Sequence, residues 1–371
     1  MITVTLYYRQ DCPHCDSTLE MLNELAEMVP HRLVKIDIDS DQDLTAMYNS
    51  AVPVIQVGPY HLKKKFTRME LEVVLRSARD RAARLEEDGG GKYQARLDRA
   101  GKVSGADRFS YWLSKHYMLA FNLLVAIFLG LTFLAPVFMH WGWELPAKVI
   151  YTAYRPMCHQ FSFRSWFLFG DHPYYPRPLA HVQGAMTYDE LAAMIPDRMI
   201  TVDGMQAYEA FSLSSFPEKL IPPEEAGWEL SARRFIGVHN DEIHTGYKVA
   251  FCQRDVAIWG GILVFGLIFS VLRTRIRALP WYLWVALGIV PIGLDGGTQL
   301  LAFLSGILPE WLVIRESTPF LRTLTGGLFG LMTAWMFYPL VEQTMADTRR
   351  FLLRKFAAIE QAQAGMDTKK D

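Results

Sequence analysis

Near the N-terminus, Cys12-Pro13-His14-Cys15 sets two thiols one helical turn apart. Two cysteines at that spacing can close a disulfide with each other and exchange it with a disulfide elsewhere, provided one of them reacts as a thiolate. Cys12 follows the strand-like run Ile2 to Tyr8 and precedes Ser17 to Met28, where Leu19, Leu22, Leu25 and Met28 recur at helical spacing. At a helix start the unpaired N–H groups and the positive end of the dipole favour an anion, so Cys12 is the expected nucleophile. Cys15, one turn later and less exposed, is the expected resolving thiol. Other uses of the pair need more than the neighbourhood offers. Zinc needs two further ligands, with only His14 and His31 nearby, and haem attachment needs His after Cys15, where Asp16 stands. Pro53 precedes a third strand, and a cis bond from Val52 would bring backbone beside the cysteines.

A second set of chemical groups lies far downstream: Cys158-His159-Gln160, Arg164-Ser165, Cys252 with Arg254 and Asp255, Asp295 with Thr298 and Gln299, Arg315-Glu316-Ser317, and Arg322 with Thr325. All sit within or beside apolar runs. A carboxylate in lipid is costly unless paired, so Asp295 is expected to face other helices with Arg164, Arg254 or Arg322 as its partner. Three readings of the cluster stay open. Cys158, His159, Cys252 and Asp255 are suitable ligand types for a metal; Cys158 and Cys252 could form a disulfide in an oxidising compartment; or the groups are buried polar bonds that fix helix packing. The Gly326-x-x-x-Gly330 spacing points to close helix packing.

The elements that must position these groups follow from patterning. The chain has 371 residues, 51% of them hydrophobic, a formal net charge of -1 and four cysteines. That is too apolar for an ordinary soluble enzyme and too poor in cysteine for a disulfide scaffold. Lys and Arg cluster beside apolar runs and not over one basic face, which argues for membrane orientation and against nucleic acid. No cleavable signal peptide is expected. Residues 1–80 read as a small α/β domain, with strands at Ile2 to Tyr8, Arg32 to Asp39 and Val52 to Gly58 and helices at 17–28, 43–48 and 68–79. Residues 81–115 read as a basic linker, flexible or helical, with Glu86-Glu87-Asp88-Gly89-Gly90-Gly91-Lys92 as the expected break. Residues 116–345 read as an all-α four-helix membrane domain with spans at 117–139, 256–272, 281–308 and 321–341, an outer insertion at 171–250 containing one short helix, and a tail at 346–371. Basic segments before the first span, around Arg273, Arg275 and Arg277, and after the last span share one side only with four crossings. Both termini are therefore expected in the cytoplasm and the insertion outside, at the plasma membrane.

Two resemblances accompany these readings. Through Tyr7-Tyr8-Arg9-Gln10-Asp11-Cys12-Pro13-His14-Cys15, the run Lys35 to Asn49 and Ala51-Val52-Pro53-Val54, residues 1–80 resemble a glutaredoxin-like member of the thioredoxin fold. The resemblance implies Cys12 as attacking thiol, Cys15 as its partner and Pro53 as the cis proline. Glutathione-using glutaredoxins carry Gly-Gly after the last strand, whereas here Gly58-Pro59-Tyr60-His61 stands. The resemblance therefore does not extend to glutathione as donor. The downstream set, in its order, resembles the membrane family called domain of unknown function 2085, with Asp255 where that pattern has a second cysteine in its Cys-x-Arg-Cys. This second resemblance implies no activity.

Together these features lead to the expectation of a membrane-anchored thiol-disulfide oxidoreductase with a cytosolic thiol partner. The alternative is a multi-pass transporter or a metal- or ligand-binding protein centred on the polar cluster, with the glutaredoxin-like domain as accessory or sensor.

Overall fold

The computed structural model describes residues 2–40, 42–63, 66–100, 102–194, 235–239, 244–273, 275–300 and 316–367. The chain divides into two compact units, residues 1–117 with 342–371, and residues 118–341.

The first unit is built on a four-stranded sheet. Strand β1 (Ile2–Tyr8) leads to helix α1 (Pro13–Met28), β2 (His31–Asp37), a 3-10 turn at Ile38–Ser40, α2 (Gln42–Tyr48), the hairpin β3 (Val54–Val57) and β4 (Tyr60–Lys63), and α3 (Arg68–Ala100). The strand order is β2-β1-β3-β4. β1 pairs parallel with β2 and antiparallel with β3, and β3 pairs antiparallel with β4. Because side chains alternate along a strand, β1 and β3 feed two cores. Ile2, Val4, Leu6, Ile55 and Val57 pack with Leu22 and Leu25 of α1 and Leu71 and Leu75 of α3. On the other side Tyr7, Val34, Ile36 and Val54 pack with Ile38, Leu44 and Tyr48. Against this second core lie Leu353, Ala357 and Ala358 of the C-terminal helix. This α/β sheet domain is consistent with the thioredoxin-like fold read from the sequence.

Two expectations here are corrected. β4 was not foreseen, because its four residues are the short return arm of a hairpin turned by Gly58, whose φ of 55° suits glycine. The break expected at Gly89-Gly90-Gly91 does not occur, since α3 runs unbroken from Arg68 to Ala100. Each glycine costs a helix only about 1 kcal/mol, and no proline interrupts this charged stretch. A capping box starts α3: the Thr67 N–H donates to Glu70 Oε2 at 2.7 Å, and the Glu70 N–H donates to Thr67 Oγ1 at 3.2 Å.

The rest of the chain is mostly helical. It contains α4 (Gly105–His140), α5 (Glu144–Tyr154), α6 (Tyr188–Met194), α7 (Gln253–Leu272), α8 (Trp281–Trp284), a π turn at Val285–Ile289, α9 (Val290–Leu300) and α10 (Pro319–Asp367). Among the described residues three helices are long and apolar enough to cross a membrane, within Gly105–His140, Gln253–Leu272 and Pro319–Gln361. They cover the expected spans 117–139, 256–272 and 321–341. In the expected span 281–308, residues 281–300 are helical but broken by the π turn, and residues 301–308 lie outside the described residues.

Glycines bring two of these helices into backbone contact. A Cβ added at Gly330 would lie 2.0 Å from the Ile258 carbonyl oxygen, and one at Gly326 2.6 Å from that of Arg254. The small-residue spacing in α10 is thus close packing against α7. Asn122 of α4 donates to Ser270 Oγ of α7 at 2.9 Å. A second sheet, β5-β7-β6, joins β5 (Ser165–Leu168), β6 (Gly237–His239) and β7 (His244–Cys252), all antiparallel. The insertion read as carrying one helix has that helix at Tyr188–Met194 and also β6 and most of β7, with β5 just before it; its residues 195–234 and 240–243 lie outside the described residues.

Candidate functional site

The thiol pair sits where β1 hands over to α1. Asp11, with φ of 57°, turns the chain, and Cys12 is the N-cap of α1 with Pro13 in its first turn. Cys12 Sγ accepts the N–H of Cys15 at 3.2 Å. A sulfur at an N-cap, bonded by a backbone N–H, lies in the field that stabilises a thiolate. Cys12 is half-buried and Cys15 is 2% exposed. The two sulfurs are joined as a disulfide. The Val52–Pro53 peptide is cis, as the resemblance implied. Beside it, Val54 lies opposite Tyr7 in the sheet register, one residue from the end of the strand that leads to the cysteines.

The downstream groups fall into three neighbouring arrangements within the second unit. In the first, Arg254 at the start of α7 donates to Asp295 Oδ2 of α9 at 2.5 Å, and Ser317 Oγ donates to the same oxygen at 2.9 Å. Thr325 Oγ1 of α10 lies 3.5 Å from it. Asp295 is 4% exposed, and the described groups around its carboxylate include one guanidinium and two hydroxyls. Of the three partners expected for Asp295, Arg254 is paired with it.

In the second arrangement, Arg164 holds Glu316 through both carboxylate oxygens, at 2.9 and 3.0 Å, and Arg322 also donates to Glu316 Oε1. Arg322 and Glu316 are buried, and Arg322 Nε donates to the Ser317 carbonyl at 3.2 Å. The Arg164 guanidinium also lies 5.3 and 5.2 Å from the rings of Phe161 and Phe163. Forked pairing of this kind fixes geometry as well as charge.

The third arrangement joins Cys158, Cys252 and Asp255. Cys158, in the loop after α5, accepts the Cys252 N–H at 3.3 Å; Cys252 Sγ lies 3.1 Å from Asp255 Oδ2. The ligand atoms of all three lie within 4.8 Å of one another, and both cysteines are free. The interaction between the neighbouring thiols holds Cys252 below the usual thiol range and, with burial, pushes Cys158 well above it. His159 is exposed and stacks on Phe161 at 5.7 Å, outside this trio. Gln160 is buried, donating to the carbonyls of Tyr151 at 2.8 Å and Ala250 at 3.1 Å.

Thr298 bonds back to the Leu294 carbonyl at 2.8 Å. Arg315 and the Gln299 side chain lie outside the described residues. Ser317, read with Arg315 and Glu316, is a further donor to Asp295. One residue not singled out is Lys248, 1% exposed in β7, which donates to the Gln160 carbonyl at 2.7 Å. Burial, with Arg155 adding to it, pushes the Lys248 ammonium down to about 7. A lysine flanked by Tyr247 and Val249 in an apolar strand was the available signal.

Comparison with protein families divides the chain in the same way. Residues 3–77 match the model of a glutaredoxin-like domain (DUF836), and residues 242–336 match that of a predicted membrane protein family (DUF2085). The second match takes in Cys252, Arg254, Asp255, Asp295, Glu316, Arg322 and Thr325, while Cys158 and Arg164 precede it. A comparison with curated proteins gave no match. The two matches describe a chain that joins a glutaredoxin-like domain to a membrane module.

Proposed function

We propose that this protein is a membrane-anchored thiol-disulfide oxidoreductase that works through Cys12 and Cys15. The observation that carries this reading is the placement of Cys12 as a half-buried N-cap sulfur accepting the Cys15 N–H, with Cys15 buried behind it. In the reduced protein the Cys12 thiolate attacks one sulfur of a partner disulfide, forming a mixed disulfide and releasing the partner's other sulfur, which takes up a proton. Cys15 then loses its proton and attacks Cys12 Sγ. The partner leaves as a dithiol and the protein holds the Cys12–Cys15 disulfide. An external dithiol restores the reduced form by the reverse exchange.

Four crossings, with a third at 281–308, put both termini and this site in the cytoplasm of a plasma-membrane protein, with the 171–250 insertion outside. The three basic flanks support that orientation. In this arrangement residues 81–115 connect the oxidoreductase domain to the first span, and 346–371 form the tail.

The test is trapping. In the full-length protein in detergent, the Cys15→Ser variant should accumulate a partner disulfide-linked to Cys12, and Cys12→Ser should not. Wild type should reduce a model disulfide with a dithiol as donor; an inert wild type would defeat the proposal. A second reading rests on the buried ion network. Arg164, Arg254 and Arg322 face Asp295 and Glu316, a constellation also suited to an anionic ligand in a transport or binding module. Stabilisation of the Cys12→Ser/Cys15→Ser protein by a small anion, lost in Arg254→Gln, would favour it.

A further inference from the structure

We propose that Cys158, Cys252 and Asp255 bind a single thiophilic divalent cation of the zinc class. The three come from separate parts of the second unit: the loop after α5, the last residue of β7, and the first turn of α7. Cys252 and Asp255 are neighbours across the junction of β7 and α7, and the fold brings Cys158 to them from 94 positions earlier in the chain.

The dimensions suit a small ion. Bonds of about 2.3 Å to sulfur and 2.0–2.2 Å to oxygen place tetrahedral ligand atoms roughly 3.5–4 Å apart. The three atoms here lie within 4.8 Å of one another, with Cys252 Sγ and Asp255 Oδ2 at 3.1 Å. Small side-chain rotations bring them onto one ion. The ligand types narrow the choice: two sulfurs disfavour magnesium and calcium, and the carboxylate suits a borderline ion such as zinc.

The surroundings support holding an ion in place. Cys158 is packed among Ile150, Tyr151, Tyr154 and Phe251. The Cys252 N–H bonded to Cys158 Sγ is the kind of outer contact that orients a metal-bound sulfur. Residues holding the loop include Gln160, bonded to both α5 and β7. The described residues supply three ligands, which leaves a fourth position for water or an incoming ligand, the pattern of a reactive and not a purely structural zinc site. The assignment is independent of the Cys12–Cys15 chemistry.

The test uses cobalt(II) as a spectroscopic stand-in, in full-length Cys12→Ser/Cys15→Ser protein kept reduced in detergent. One equivalent of cobalt should produce a near-ultraviolet sulfur-to-cobalt charge-transfer band and the intense visible bands of tetrahedral cobalt. Zinc should then bleach both. Asp255→Ala should bind at least about tenfold more weakly. Asp255→Cys should keep binding and strengthen the charge-transfer band by adding a third thiolate, a gain that only folded protein can give. Cys252→Ser should lose most of the band. Absence of the band, a band unchanged in Cys252→Ser and Asp255→Cys alike, or a Cys158–Cys252 disulfide in place of metal in the native protein would overturn the assignment.

Discussion

Arg254 at the start of α7 and Asp295 in α9 form a 2.5 Å ion pair, with the Asp295 side chain 4% exposed. Such a pair owes its worth to completeness. Removing one partner strands a buried charge at a cost of about 3–5 kcal/mol, whereas replacing both can be nearly neutral. Asp295→Asn should therefore lower the melting temperature of the detergent-solubilised protein sharply. Arg254→Gln combined with Asp295→Asn should recover most of the loss. If the double variant is as unstable as the sum of the singles, the two residues do not act as a pair.

Gly330 meets the Ile258 carbonyl so closely that an added Cβ would lie 2.0 Å away, while a Cβ at Gly293 meets no atom within 4 Å. Backbone cannot rotate aside as a side chain can, so Gly330→Ala must push α10 from α7 at about 1–3 kcal/mol. Gly293→Ala should leave the melting temperature unchanged or raise it slightly, because alanine favours helix. Equal behaviour of the two variants would remove the argument for backbone contact.

What could be read from the chain divides along the range of the interactions. The thiol pair, its strand and its helix were legible because residues 2–28 specify them locally, through strand composition, an N-terminal cap and helical spacing. Asp295 was legible as a residue needing a partner, since the cost of a carboxylate in lipid does not depend on the fold. Arg254 could not be singled out in advance, because α7 and α9 bring residues 41 positions apart together. β5 was missed for the same reason: it has four residues and pairs with a strand about 80 positions on. The π turn at Val285–Ile289 contains Gly288 and lies just before Pro291, which cannot donate a helical hydrogen bond and whose ring crowds the carbonyl of Leu287; reading the segment as one apolar span passed over both. The grouping of Cys158 with Asp255 but without its neighbour His159 depends on which way a loop turns, and composition does not record that.

Leu353, Ala357 and Ala358 pack on the core of Tyr7, Val34, Ile36 and Val54, and Gln361 exchanges two hydrogen bonds with the Lys35 backbone, at 3.1 and 2.7 Å. Gln361 thereby occupies edge positions of β2 that would otherwise be open to another strand. Leu353 is half-buried there, so its packing contributes toward the lower end of the about 1.5–3 kcal/mol of a fully buried leucine. Leu353→Asp in the full chain should raise hydrogen exchange of β1 and β2 amides by tenfold or more on that scale, with α7 unaffected. Unchanged protection in β1 and β2 would mean the sheet does not depend on the C-terminal helix.

Lys248 sets a pH dependence whose sign can be worked out. Its ammonium is pushed from the ordinary 10.5 down to about 7, first by burial and then by Arg155, with Cys158 opposing. The unfolded chain thus binds this proton more tightly than the folded one. Below about 7 both states carry it and the folded state bears the burial cost; as pH rises from 7 toward 10.5 the folded lysine is neutral while the unfolded one stays charged, so stability rises. Lys248→Met removes the proton but keeps the apolar stem. Its melting temperature relative to wild type should therefore be highest near pH 6 and fall steadily toward pH 9. Parallel melting curves across that range would show that Lys248 does not titrate between the two states.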